Sequence, residues 1–287
     1  MNNRPIGFFD SGLGGLTCIP HLMKALPEEK IIYFGDTART PYGSKAVSTI
    51  KSFSIEIADF LVKQNVKMIV IACNTVSATS LEDLKQRLPQ IPIIGIIEPA
   101  AAKTAALSDN YNIIGIIGTK VTIKSGIYEK LIKKLNPDQK IFSVACPAFV
   151  PLIEEGIIDH DIMNLTIKYY LEDFIKSNNI DTLVLGCTHY PLIRKNIEKI
   201  YPDLKIIDPS EIVVSTIVEQ LDSKNLIADV PNYENVFYAS DLSENFMNMI
   251  DRIFENSEVK VKFKSFDIEE FRMEGKQNEI RRIIRNP

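Results

Sequence analysis

Two stretches of this chain, Ile69-Val70-Ile71-Ala72-Cys73-Asn74-Thr75 and Leu183-Val184-Leu185-Gly186-Cys187-Thr188-His189, each carry an apolar run into a single cysteine flanked by small polar residues, where a helix pattern begins. An apolar run of this length and type reads as a buried parallel strand. A cysteine at its carboxyl end sits at the mouth of an open α/β sheet, and a following helix N-terminus favours the thiolate. Two such positions in one chain predict two thiols that face one another across a single ligand.

Strand-like runs alternate with helix-like runs along nearly the whole chain, the pattern of a mostly parallel α/β fold. Strands are predicted over 6–10, 31–34, 67–72, 92–96, 112–117, 140–144, 182–185, 205–207 and 236–239. The longest helix is expected to run from Ser44, as its N-cap, to Lys63, with Val47, Ile50, Ser54, Ile57 and Leu61 along one core-facing stripe. There is also an internal echo. Ile6-Gly7-Phe8-Phe9-Asp10-Ser11-Gly12 resembles Ile114-Gly115-Ile116-Ile117-Gly118-Thr119, with the glycines offset by 108 and the two cysteines by 114. The similar offsets predict two related, pseudo-symmetric α/β halves whose strand ends converge on a shared cleft.

Composition narrows the setting. The chain of 287 residues can bury a sizeable core and is long enough for two modest domains. With 33 basic and 37 acidic side chains, the basic ones dispersed, no electrostatic footprint for nucleic acid is expected. No apolar run approaches a membrane span, and Met1-Asn2-Asn3-Arg4 leads directly into a strand, so a cytoplasmic address is expected. The four cysteines, at 18, 73, 146 and 187, are too few and too scattered for a secreted disulfide framework. Cys18, on a helix after Gly15, and Cys146, at a strand end before Pro147, read as small buried apolar residues.

Other motif readings fail on spacing. Gly12-Leu13-Gly14-Gly15 follows a strand as a nucleotide loop would, but Thr17 stands where the last glycine of G-x-G-x-x-G belongs. Cys73, Cys187 and His189 do not have the ligand spacing of a zinc site, and no metal is expected.

An ordered set of motifs carries a family likeness: Phe9-Asp10-Ser11-Gly12-Leu13-Gly14-Gly15-Leu16, Asp36-Thr37-Ala38-Arg39-Thr40-Pro41-Tyr42-Gly43, Ala72-Cys73-Asn74-Thr75, Gly118-Thr119 with Thr122, Val150-Pro151-Leu152-Ile153-Glu154, and Gly186-Cys187-Thr188-His189-Tyr190-Pro191-Leu192. Together they resemble the cofactor-independent glutamate racemases, within the aspartate/glutamate racemase superfamily. They span about the first two thirds of the chain; the part after about Asp208 matches loosely, and the charged end, 269–287, fits no pattern.

The resemblance implies a first α/β domain of residues 1–97 plus 210–287, a second of residues 98–209, and an active site in the cleft between them. It implies racemisation of glutamate without a cofactor, supplying D-glutamate for peptidoglycan, and a homodimer. Racemisation requires a base on each face of the α-carbon, and a thiol with a reference pKa of about 8.5 can serve as base in one direction and acid in the other. By resemblance, Cys73 handles the proton of D-glutamate with help from Asp10, and Cys187 that of L-glutamate with help from His189 and Glu154. Ser11, Pro41, Tyr42, Gly43, Asn74, Thr75, Thr188 and His189 are the implied substrate contacts or loop-shaping residues. Thr119 and Thr122 add hydroxyls, and backbone N–H groups at Gly43, Asn74 and Thr188 can face carboxylates.

The residues themselves leave alternatives. His189 could cap the following helix or satisfy a backbone carbonyl, and Asp10 could be the N-cap of the helix near Gly14. The chain as a whole could be an aspartate racemase of the same superfamily or a non-catalytic dicarboxylate-binding protein. A binding protein has no need for a thiol on each face of its ligand.

Overall fold

The computed structural model describes residues 2–107, 113–230, 235–241, 243–254, 261–265 and 267. In chain order its elements are β1 (Ile6–Asp10), α1 (Cys18–Ala25), β2 (Ile31–Gly35), α2 (Val47–Lys63), β3 (Met68–Ile71), α3 (Asn74–Arg87), β4 (Ile93–Gly95), α4 (Ile97–Ala105), β5 (Ile113–Gly118), α5 (Lys120–Ser125), α6 (Ile127–Leu135), β6 (Lys140–Ala145), α7 (Phe149–Glu154), α8 (Asp161–Asn178), β7 (Thr182–Gly186), α9 (Arg194–Ile200), β8 (Lys205–Ile207), α10 (Pro209–Ser223), β9 (Asn235–Ala239), α11 (Glu244–Phe254) and β10 (Val261–Ser265). They form a six-stranded sheet of order β10-β9-β2-β1-β3-β4 and a four-stranded sheet of order β6-β5-β7-β8.

Every strand pairing is parallel. The order β2-β1-β3-β4 recurs as β6-β5-β7-β8, so the internal echo in the sequence is a repeat of topology. The register agrees as well. Gly7 pairs with Ile69 and Gly115 with Leu183, each four residues ahead of its half's cysteine. The first half is enlarged by the C-terminal segment, whose β9 adds to the outer side of β2 and whose β10 adds beyond it.

Both faces of the first sheet are covered, which is why its strands are apolar at almost every position. Ile6, Phe8, Tyr33, Met68 and Val70 point into a core that continues into the second half through Ile114, Ile116, Leu183 and Leu185. Phe9, Phe34, Ile69 and Ile71 point the other way, against Ile50, Ile57 and Leu61 of α2 and Val76 and Leu84 of α3. Burial at roughly 25 cal/mol per Å² makes these two layers the main source of stability. α10 packs on both α1 and α4, returning the chain to the first half.

Three expectations need correction. The long helix starts at Val47 with Ala46 at the N-cap, and no side chain caps it. Ser44 instead closes a 3₁₀ turn, Tyr42–Ser44, held by Lys45 N–H on the Tyr42 carbonyl at 3.0 Å. Val47 is accordingly 46% exposed, while Ile50, Ser54, Ile57 and Leu61 are buried. Secondly, β10 was not anticipated in the charged C-terminal region. Thirdly, no α-helix follows Cys187 directly: a 3₁₀ turn, Tyr190–Ile193, precedes α9. Its tighter bonds, Tyr190 N–H to Cys187 O and Leu192 N–H to His189 O, replace the first helical turn. The predicted strand over 112–117 is β5, with residue 112 outside the described residues, as is the whole charged end, 269–287.

Candidate active site

The carboxyl ends of β1, β3, β5 and β7 open toward one another, as strand ends of open parallel sheets do where they bind ligands. Ser11, Pro41, Tyr42, Gly43, Cys73, Asn74, Thr75, Thr119, Cys187, Thr188 and His189 line one cavity there, so most of the expected site residues meet, and both cysteines are among them. The space they enclose is about 20 Å³, little more than the roughly 10–15 Å³ that one water needs.

Asp10, Thr122 and Glu154 are not in the cavity wall but stand behind it. Thr122 Oγ1 lies 3.0 Å from Thr119 Oγ1 and 3.4 Å from Thr75 Oγ1, and those two hydroxyls are 3.0 Å apart. Thr119 also caps α5. Thr75 comes from the first half and the other two from the second, so this cluster forms only when the halves meet.

The two sulfurs have different surroundings. Cys73 is the N-cap residue of α3, so the start of a helix faces it. Its thiol donates to Ser11 Oγ at 3.5 Å. Burial pushes its pKa well up and the Asp10 carboxylate pushes it further, while Ser11 and the backbone N–H groups of Val76 and Ser11 work in the other direction. Asp10 therefore does not favour the Cys73 thiolate; it makes that thiolate scarcer and, once formed, a stronger base. Asp10 Oδ2 accepts from Gly15 N–H at 2.9 Å, but Asp10 is not the N-cap of a helix there: a 3₁₀ turn, Gly14–Thr17, follows with Leu13 at its N-cap, and Oδ1 is buried without a partner.

Cys187 Sγ lies 3.8 Å from His189 Nδ1, and His189 Nε2 lies 3.1 Å from Glu154 Oε1. Burial is the largest influence on His189 and opposes its charge. The hydrogen bonds and charges of Cys187 and Glu154 together outweigh it and raise the pKa well above the ordinary histidine value. The ring therefore does not cap the next element; it makes no capping bond there. Gly14 allows this packing, since a Cβ on it would come within 2.5 Å of His189 Nδ1 and of Thr188 Oγ1.

Thr40 and Val150 also line the cavity, although sequence reasoning did not select them. Each sits inside a motif that the sequence did mark, but a linear motif does not say which loop side chains turn inward. The loop carrying Tyr42 is held from behind: its hydroxyl donates to buried Asp36, Arg39 Nε pairs with the same carboxylate at 2.7 Å, and Ser240 Oγ donates to the other Asp36 oxygen at 2.9 Å. Ser240 directly follows β9, so the C-terminal segment supports the site. Two more polar atoms near the cavity, Thr40 Oγ1 and Asn74 Nδ2, are buried without a hydrogen-bond partner. Cys18 and Cys146 are buried and free, with thiol pKa values raised by burial, as expected of packing residues. Among the described residues no cluster of histidine, cysteine and carboxylate side chains could hold a metal ion. Nor is any helix among them long and apolar enough to cross a membrane.

The family model for Asp/Glu/Hydantoin racemase matches residues 17–217. Glutamate racemase from Geobacter metallireducens is 45% identical over 251 residues, covering 87% of this chain and 92% of the relative. The corresponding racemase from a Sulfurihydrogenibium species is 49% identical over 211 residues, 73% of this chain and 80% of the relative. The crystal structure of glutamate racemase from Francisella tularensis in complex with D-glutamate superposes with a TM-score of 0.86 at 40% identity, covering 93% of this chain and 99% of that one. The chain thus belongs to the Asp/Glu/Hydantoin racemase family and, within it, to the glutamate racemases, which are isomerases.

Proposed function

We propose that this protein interconverts L- and D-glutamate by two-base proton transfer, with Cys73 and Cys187 acting on opposite faces of the α-carbon. The observation that supports this reading is the presence of both sulfurs in the wall of one closed cavity lined with hydroxyl and amide groups. Cys73 takes the α-proton of D-glutamate and Cys187 that of L-glutamate. In either direction the C–H bond breaks with its electron pair left on carbon, and the opposite thiol then protonates that carbon. One sulfur gains the proton the other gives up, so a second turnover in the same direction requires the protons to be reset.

The neighbours of each sulfur suit these roles. His189 lies beside Cys187 with its own pKa raised, placed to exchange a proton with the sulfur, and Glu154 holds the ring. Asp10 makes Cys73 a more demanding but stronger base. Ser11, Asn74, Thr75, Thr119 and Thr188 supply donors for the substrate carboxylates without adding a competing base, joined by backbone N–H groups at Gly43, Asn74 and Thr188. Pro41 and Tyr42 shape the loop, and Thr122 fixes the hydroxyl cluster. Charge developing on the α-carbon is met by these preorganised dipoles, a scheme that uses no cofactor. The division into a first unit of residues 1–97 with 210–287 and a second of residues 98–209 is supported by the two sheets and by the return of β9 and β10 to β2. The D-glutamate made would serve peptidoglycan synthesis, and so cell-wall growth and cell shape, in the cytoplasm, by a homodimer.

The test is incubation with L-glutamate, and separately D-glutamate, in heavy water without added cofactor. Optical rotation should decay to zero from either side, and the α-proton signal should be lost by NMR. Binding without either change would leave a dicarboxylate-binding protein instead, and inversion of aspartate in preference to glutamate would reassign the substrate.

A further inference from the structure

Tyr128 lies on α6, in the second half, with its ring buried at 3% exposure, and plays no part in the scheme above. Its ring borders the end of β7: a Cβ on Gly186 would sit 3.4 Å from Tyr128 Cε2, directly ahead of Cys187. Its hydroxyl crosses to the first half and donates to Asn74 Oδ1 at 2.7 Å. Asn74 is the first residue of α3, next to Cys73, and lines the cavity. One side chain therefore spans from the Cys187 strand end to the residue beside Cys73.

This bond has a chemical consequence. A side-chain amide can present either its oxygen or its NH₂ in a given direction, and the two have opposite preferences for a carboxylate. Engaging Oδ1 with the Tyr128 hydroxyl turns Nδ2 away from it, and Nδ2 is buried with no partner. Leaving a buried donor unpaired is unfavourable, so its persistence beside the cavity points to a ligand acceptor. Burial, with Asp208 and Cys187 nearby, raises the phenol pKa, so the hydroxyl keeps its proton across the neutral range.

We infer that Tyr128 is a positioning residue for glutamate: by occupying Asn74 Oδ1 from the opposite half, it aims the Asn74 NH₂ at a substrate carboxylate, and it does so only when the halves are closed together. The inference rests on the proposed racemase reading. Because enantiomers have equal free energy, loss of the hydroxyl must lower kcat/KM equally in both directions.

The experiment is a double-mutant cycle of Tyr128→Phe, Asn74→Ala and the combined variant, with kcat and KM measured for L- and D-glutamate and circular dichroism as a check on folding. Tyr128→Phe should raise KM about tenfold with a smaller change in kcat. The combined variant should be no worse than Asn74→Ala alone, because the phenol acts only through that amide. An unchanged KM in Tyr128→Phe, or losses that multiply in the combined variant, would overturn the inference. So would a Tyr128→Phe chain without native circular dichroism, which would make the hydroxyl a structural prop. A wild-type chain that racemises nothing would instead overturn the reading on which the inference rests.

Discussion

His189 stands 3.8 Å from the sulfur of Cys187 through one ring nitrogen, and through the other it reaches Glu154 at 3.1 Å. Cys73 is placed differently, between a helix start and the Asp10 carboxylate. The two halves repeat each other in strand order and register, yet they control their thiols by different means. A helix N-terminus acts on one side, and an imidazole does so on the other.

Replacing either thiol tests the chemistry most directly. Cys73→Ser and Cys187→Ser should each lower racemisation by roughly 10³-fold or more, since each removes one of two non-redundant proton-transfer groups. The hydroxyl occupies nearly the same space, so urea midpoints should stay close to wild type. Full activity in either variant would exclude the two-base scheme.

Glu154→Gln should move the alkaline limb of the kcat/KM profile to lower pH. Glu154 is one of the two groups that raise the His189 pKa against burial, and the amide removes its charge. Stability has the same sign. A raised folded pKa contributes stability that is fully present below the unfolded histidine value of about 6.5 and is lost as pH rises through the folded value. Thermal melts across pH should therefore show a shallower loss in the variant than in wild type, and coincident curves would count against the coupling.

Gly14→Ala should disable the site without dismantling the fold. The new methyl would meet His189 Nδ1 and Thr188 Oγ1, each 2.5 Å from the Cβ position, and both residues are buried. Overpacking of this kind costs about 1–3 kcal/mol, and a shift of about 1 Å in a catalytic group can cost roughly 10²-fold in rate. Kinetics combined with chemical denaturation would separate the two effects.

Lys67→Met should destabilise the chain by about 3–5 kcal/mol, the usual cost of stranding one member of a buried ion pair. Lys67 Nζ is buried, 2.6 Å from Glu29 Oε2, and donates to the carbonyls of Asn2 and Leu226, each at 2.6 Å. Glu29 in turn accepts from Ala228 N–H at 2.8 Å, so the pair fastens the segment after α10 to the base of the first sheet. Urea titration gives the loss, while kcat/KM of the folded fraction should remain at the wild-type level because the pair lies at the opposite end of β3 from Cys73.

Much of the fold was legible in the chain. Runs 6–10 and 205–207 form strands residue for residue, and the other predicted strands lie within a residue or two of those formed. β10 was hidden because Val261-Lys262-Phe263-Lys264-Ser265 is short and carries two lysines in five residues, and an edge strand of that kind forms where a neighbour such as β9 offers an unpaired edge. Ser44 looked like a helix cap because serine caps helices well, but Lys45 and Ala46 after it are extended, and the helix begins only at Val47.

The sequence by itself determined the alternation of strand and helix, the two-fold echo, and the placing of one thiol at the end of a buried strand in each half, because hydrophobic period and small polar flanks are local properties. Tertiary structure alone decided which of those thiols faces a helix start, that Asp10 Oδ2 is taken up by Gly15 N–H behind the cavity wall, and that Tyr128 reaches Asn74 across the cleft. Protonation and amide orientation depend on exclusion of water and on groups far apart in the chain, and these exist only after the two halves have closed on each other.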